Sequence, residues 1–218
     1  MNLAPVLDLY AVPDGSIIGD RSFGDDEEAV AIEGKAFVRG TLRGGVLPVI
    51  KHFPGHGIST VDSHGDLPVV DTANEEEFNR HLAPFRAVIE SGAPAVMPAH
   101  ILYPKLDAGY PVTLSEVFIK KLLRDELGFS GIVISDGLSM GALSRHYSLE
   151  ETLARCFQLG VDIVLVHSRY SVEELVDTVV DLVEQGVVTP QQIDEGLTRV
   201  LTAKWKTGIF DESLFEQP

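Results

Sequence analysis

The sequence predicts an α/β protein built on a parallel sheet, and three observations lead there. Five apolar runs, each too short for a helix, recur along the 218 residues. Amphipathic stretches of helical length separate them, and most of these open on a capping residue followed by acids and close on glycine. Strand and helix in regular alternation imply right-handed βαβ units, whose sheet either lies open and doubly wound or closes into a barrel.

In chain order, the first run is "LAPVLDL" (3–9), followed by a helix over "DDEEAVAIEGKAFVRGTLRGG" from Asp25. The second run, "VLPVIKHF" (46–53), leads through a Pro-Gly break to a helix from Asn74, and the third, "PAVMPAH" (94–100), to a helix from Ser115. "IVISD" (132–136) precedes a helix from Ser148, and "DIVLVH" (162–167) precedes one from Ser171, with a last helix after Pro190. No linker, repeat or low-complexity segment divides the chain, so residues 1–218 read as a single domain.

Composition narrows the function. A formal net charge of −16, with Lys and Arg scattered, opposes nucleic acid and anionic membrane and favours a neutral or cationic small ligand. No window approaches 18 uninterrupted apolar residues, and "MNLAPVLDLY" lacks the features of a signal segment. The single cysteine, Cys156, sits in apolar "LARCFQLG" and reads as a buried, inert thiol.

Parallel α/β architectures place their sites at the C-terminal ends of the strands. Those ends carry Asp8, Lys51 and His52, His100, Asp136 and His167. Singly, the aspartates could cap helices and the histidines could be satisfied core residues. Jointly, they read as a pocket of convergent ionisable groups. His52 and His56 have the i, i+4 spacing of a helical metal pair, but Pro54, Gly55 and Gly57 break that helix, so no metal is assigned. Ser135 and Ser139 lack a nucleophile elbow, and the glycine spacing of phosphate and dinucleotide loops is absent, so no cofactor is assigned.

What remains is carboxylate and imidazole chemistry. In "VDSH", Asp62 can accept a bond from one ring nitrogen of His64 and leave the other to exchange a proton, which makes a general acid/base dyad. Asp136, at the end of "IVISD", can attack an electrophilic carbon and form a covalent intermediate.

"KHFPGHGISTVDSH" (51–64), together with "GDRSFGDD", "APVLDL", "VMPAHI" and "ISDGLSMGAL", closely resembles the glycoside hydrolase family 3 β-N-acetylhexosaminidases of bacterial cell-wall recycling, over residues 2 to 210. The resemblance implies a TIM-type (β/α)8 barrel and a retaining mechanism on terminal N-acetylglucosamine of muropeptides or chitooligosaccharides, through a covalent glycosyl-aspartate. It makes Asp136 the nucleophile, His64 the acid/base on a mobile loop with Asp62 supporting it, and Arg21, Lys51 and His52 contacts to the sugar hydroxyls. His56 is expected to shape the loop. Gly137 stands where the family often has a second acid.

In that family the sequence ahead of "APVLDL" supplies the first three strands, so about five of eight βα units are expected here. The expected partner is a carbohydrate, with possible self-association through exposed barrel edges, and the expected location is the bacterial cytoplasm, or outside it if a preceding segment carried a signal. Phosphorolysis stays open beside hydrolysis. The alternatives are a catalytically silent sugar-binding remnant and a metal-dependent hydrolase on an open, flavodoxin-like sheet.

Overall fold

The computed structural model describes residues 1–10, 17–57, 59, 62–71, 74–166 and 169–210. Its helices begin where the capping residues stand. The helix α1 (Glu27–Arg43) starts at Asp26, whose side chain accepts from the Ala29 amide, and α2 (Glu75–Glu90) starts at Asn74, which accepts from Glu77. A π-helical segment, Val117–Glu126, and a short α3 (Gly141–Ser144) flank the third strand. Ser148 caps α4 (Leu149–Leu159), which ends on Gly160 at φ 81°, and Ser171 caps α5 (Val172–Glu184). Thr189 and Gln192 form a reciprocal capping box on α6 (Pro190–Lys206). Each cap satisfies an amide that the helix itself leaves open, worth about 1 kcal/mol.

Four strands, β1 (Ile50–Phe53), β2 (Ala95–Pro98), β3 (Ile132–Gly137) and β4 (Ile163–Leu165), pair in parallel in the order β1-β2-β3-β4. That order settles the architecture. A doubly wound sheet reverses direction partway, so some neighbours in space are out of sequence, whereas a barrel wall adds each strand beside its predecessor. The flavodoxin-like alternative is therefore overturned.

The first apolar run departs from expectation. It lies parallel beside β1, but only through bridges at Asn2 and Val6, with the Leu7 amide donating to the Lys51 carbonyl and the Lys51 amide to that of Pro5. Pro5 has no amide to give, which breaks the ladder into two contacts. Among the described residues the barrel wall is four regular strands and one interrupted strand.

Side chains alternate across this wall. Val49, Ala95, Met97, Ile132 and Ile134 form one buried cluster, against which Val200 and Ala203 of α6 pack. Ile50, Phe53, Val96 and Val133 belong to a second cluster with the helices, including Phe85 and Val88 of α2 and Leu153 of α4. Cys156 is buried within that second cluster, and burial pushes its thiol up to about 12, so it is inert as read. Among the described residues, no helix is long and apolar enough to cross a membrane.

Candidate active site

The strand ends converge around Asp8, which is wholly buried. One of its oxygens accepts the His56 amide at 2.6 Å, both lie 3.2 Å from the His52 amide, and the second meets His52 Nδ1 at 2.7 Å. Burial opposes the charge on Asp8, yet His52 and His56 outweigh it and hold its pKa below the usual carboxylate value. The other face of the His52 ring turns toward β3, with Nε2 4.0 Å from Asp136 Oδ2.

Asp136 is one-quarter exposed at the end of β3. Burial again opposes its charge, but His100, His52, the Gly137 amide at 2.8 Å and Lys51 together lower its pKa, so it stands as a carboxylate at neutral pH. Lys51 is held below the ordinary lysine value chiefly by burial, with Asp136 opposing that shift and the charge of Arg21 adding to it. These charges share one field. Arg21 is exposed, and its guanidinium donates to the carbonyls of Ile18 at 3.1 Å and Ile17 at 2.8 Å. His100 is buried within reach of the Thr113 hydroxyl (Nδ1, 2.7 Å) and the Gly137 carbonyl (Nε2, 3.3 Å), and burial lowers its pKa from the ordinary histidine value. His167 lies outside the described residues.

Close packing explains the glycines of "PGHG". A Cβ on Gly57 would fall 1.8 Å from the Leu9 carbonyl oxygen, and one on Gly55, at φ 134°, would fall 2.9 Å from the Cβ of His81. Only glycine lets the loop leave β1 pressed against the first run. His56 is buried there, and among the described residues its ring nitrogens find no hydrogen-bond partner.

Asp62 and His64 form the expected pair. Asp62 Oδ1 accepts the His64 amide at 2.9 Å and meets the ring Nδ1 at 2.7 Å, and these two bonds, the amide first, lower the carboxyl pKa. Nδ1 therefore carries a proton, and Nε2 is the nitrogen left to exchange one. Both side chains are exposed. The loop is nonetheless tied down beside the segment that follows β3: the Gly141 amide donates to the His64 carbonyl and the Ala142 amide to that of Ser63, each at 3.1 Å. His146 Nε2 also meets Asp66 Oδ1 at 2.8 Å.

Two supporting residues escaped the sequence reading. Thr113 holds His100, and the Ser22 hydroxyl donates to the Asp8 carbonyl at 2.6 Å. Neither stands at a strand end, and a hydroxyl in a short 3-10 turn or beside one carries no periodicity to mark it.

Comparison with known proteins shows which family the chain belongs to. Residues 1–203 match the family described as Glycosyl hydrolase family 3 N terminal domain. The beta-hexosaminidase of Thiobacillus denitrificans is 41% identical over 166 residues, covering 76% of this chain and 45% of that protein. That of Neisseria gonorrhoeae is 40% identical over 206 residues, covering 94% and 53%. Among solved structures, a glycoside hydrolase family 3 beta-N-acetylglucosaminidase from a Paenibacillus species superposes with a TM-score of 0.91 at 39% identity, over 96% of this chain and 40% of that one. The chain spans about half the length of the curated relatives it matches.

Proposed function

Because the chain belongs to glycosyl hydrolase family 3, matching its N-terminal domain, we propose that it carries the catalytic centre of a retaining β-N-acetylglucosaminidase. The substrate is terminal N-acetylglucosamine on muropeptides or chitooligosaccharides. The observation that carries this reading is an ionised, partly exposed Asp136 beside a loop that holds an Asp62–His64 dyad. Relatives named as beta-hexosaminidases and a beta-N-acetylglucosaminidase support the sugar.

In the first step, Asp136 bonds to the anomeric carbon while the bond to the leaving oxygen breaks, and His64 Nε2–H gives that oxygen its proton. In the second, His64 takes a proton from water, the water oxygen bonds to the same carbon, and the Asp136 ester opens. Two inversions retain the configuration. A histidine here replaces the second carboxylate of most retaining glycosidases. Arg21, Lys51 and His52 hold the ring hydroxyls, and the cationic pair also offsets charge on the reacting carboxylate.

The test is Asp136→Asn, in protein that turns over an aryl N-acetylglucosaminide. The amide keeps the shape and loses the nucleophile, so turnover should fall to near background while the sugar still binds. Intact-mass measurement with a slow substrate should show one added N-acetylglucosamine in the parent protein and none in the variant. Turnover like that of the parent would overturn the assignment.

A further inference from the structure

Asp8 has no role in the chemistry so far, yet it is wholly buried and faces three donors. Two of those donors are backbone amides, which any acceptor of the right shape would satisfy. The third is a titratable ring. A carboxylate can only accept, so the 2.7 Å contact to His52 Nδ1 requires that this nitrogen carry a proton. In the neutral ring, the remaining nitrogen, Nε2, is then a bare lone pair. It points into the site, 4.0 Å from Asp136 Oδ2, which has no proton to offer it.

We propose that Asp8 is a positioning residue that fixes the Nδ1–H tautomer of His52, so that Nε2 serves as a hydrogen-bond acceptor for a hydroxyl of the bound sugar. This rests on the reading of the site as a glycosidase. It adds a direction to the contact: the hydroxyl donates to His52, and its oxygen lone pairs are left for a cation such as Lys51 or Arg21. A hydroxyl held between an acceptor and a cation is selected as a hydroxyl. An analogue with hydrogen or fluorine at that position cannot donate, and it leaves a desolvated imidazole nitrogen without a partner.

The geometry also supplies the means of reversal. In Asp8→Asn the amide oxygen can stay on the His52 and His56 backbone amides, which places the NH2 against His52 Nδ1. A donor there demands a bare Nδ1 and moves the proton to Nε2. The shape is kept and the polarity of the ring is inverted.

Two measurements test this. Nitrogen-15 spectra of histidine-labelled protein report which ring nitrogen carries the proton, and His52→Gln assigns the resonance. The expected result is a protonated Nδ1 and bare Nε2 in the parent, exchanged in Asp8→Asn. A bare Nδ1, or a proton on both ring nitrogens, in the parent overturns the proposal, whatever the protein hydrolyses. The second measurement compares kcat/KM for an aryl N-acetylglucosaminide and for its ring-deoxy analogues. Asp8→Asn should lose 10- to 100-fold on the parent sugar, the range seen when the partner orienting a ligand is removed. It should lose far less on the one analogue lacking the hydroxyl that meets His52. An equal loss on every substrate overturns the proposal in favour of a purely structural Asp8. Absence of any glycoside turnover with the expected spectra would instead strike the functional reading and leave the tautomer standing.

Discussion

The Gly141 amide donates to the His64 carbonyl oxygen at 3.1 Å, so the loop bearing the proposed acid/base is fastened to the segment that leaves the proposed nucleophile. Gly141 stands only five positions after Asp136 along the chain. A loop on a rigid wall has freedom that a catalytic proton transfer does not tolerate, since the donor must lie within hydrogen-bond reach of the leaving oxygen. Backbone bonds from Gly141 and Ala142, with the His146–Asp66 contact beyond them, remove much of that freedom.

Gly141→Ala tests the clamp. A Cβ there would fall 2.3 Å from the Gly65 carbonyl oxygen and 2.8 Å from that of His64, backbone atoms that yield only if the loop moves. Turnover of an aryl N-acetylglucosaminide is expected to fall at least tenfold, or about 1.4 kcal/mol in the barrier. The melting temperature should change little, because Asp62, His64 and Asp66 of the displaced segment are exposed. Undiminished turnover in a folded variant would mean that delivery of His64 does not depend on this contact.

His64→Ala should separate substrates by leaving group. An activated aryl alcohol departs without a proton, whereas a sugar alcohol needs one. The loss is expected to be about 100-fold larger on a disaccharide or muropeptide than on an activated aryl glycoside, at the lower end of the usual range for general acid catalysis. Steady-state kinetics on both classes decide it, and equal losses would assign His64 to positioning.

The sequence showed the site more clearly than the wall that holds it. Lys51, His52, His100 and Asp136 stood out because each ends an apolar run, and the parallel strands indeed place them together. The choice between barrel and open sheet was not legible from alternation alone, since both use the same βαβ unit. Strand order decided it, and order is a property of long-range pairing. Pro5 was visible throughout, yet its consequence, an interrupted first strand, depended on which neighbour its missing amide would have faced. Asp8 was legible as a strand end but not as the holder of His52, because the two are 44 residues apart.

Acid should begin to destabilise this protein before Asp8 and Asp136 protonate. Burial holds the folded pKa of His56 and of His81 at about 4, against 6.5 for the free ring. Asp8, His52 and Asp136 surround the first, and Arg80, Asp8 and Glu27 the second. Between these values the unfolded chain binds more protons, so stability rises with pH and is lost as pH falls from about 6.5 to about 4. The full shift corresponds to about 3 kcal/mol per ring as an upper bound. The lowered carboxylates Asp8 and Asp136 lose their contribution only below their ordinary value of 3.8, outside this window. Denaturant midpoints at pH 7 and pH 4.5 should differ clearly in the parent, and by about half as much in His81→Leu. An unchanged difference in that variant would remove His81 from the account.

The 218-residue chain alone should self-associate, and its helices show where. Val172, Val176 and Val180 recur at every fourth position of α5, and Leu197, Leu201 and Trp205 do the same on α6; all six are exposed. Such spacing puts each trio on one face of its helix, and an apolar helix face open to water is an association surface. Among the described residues, no strand pairs with the far edge of β4, whose Ile163, Val164 and Leu165 are only half-buried. The net charge of −16 opposes contact between copies, and salt screens it. Association should therefore strengthen from 0.05 to 0.5 M salt, the reverse of what ion pairing would give. Sedimentation velocity across a hundredfold range of concentration reads this directly. Val176→Glu with Leu201→Glu should shift the distribution toward monomer at every salt concentration, with the circular dichroism spectrum unchanged. A parent chain that stays monomeric at high salt and high concentration would show that these faces are tolerated in water.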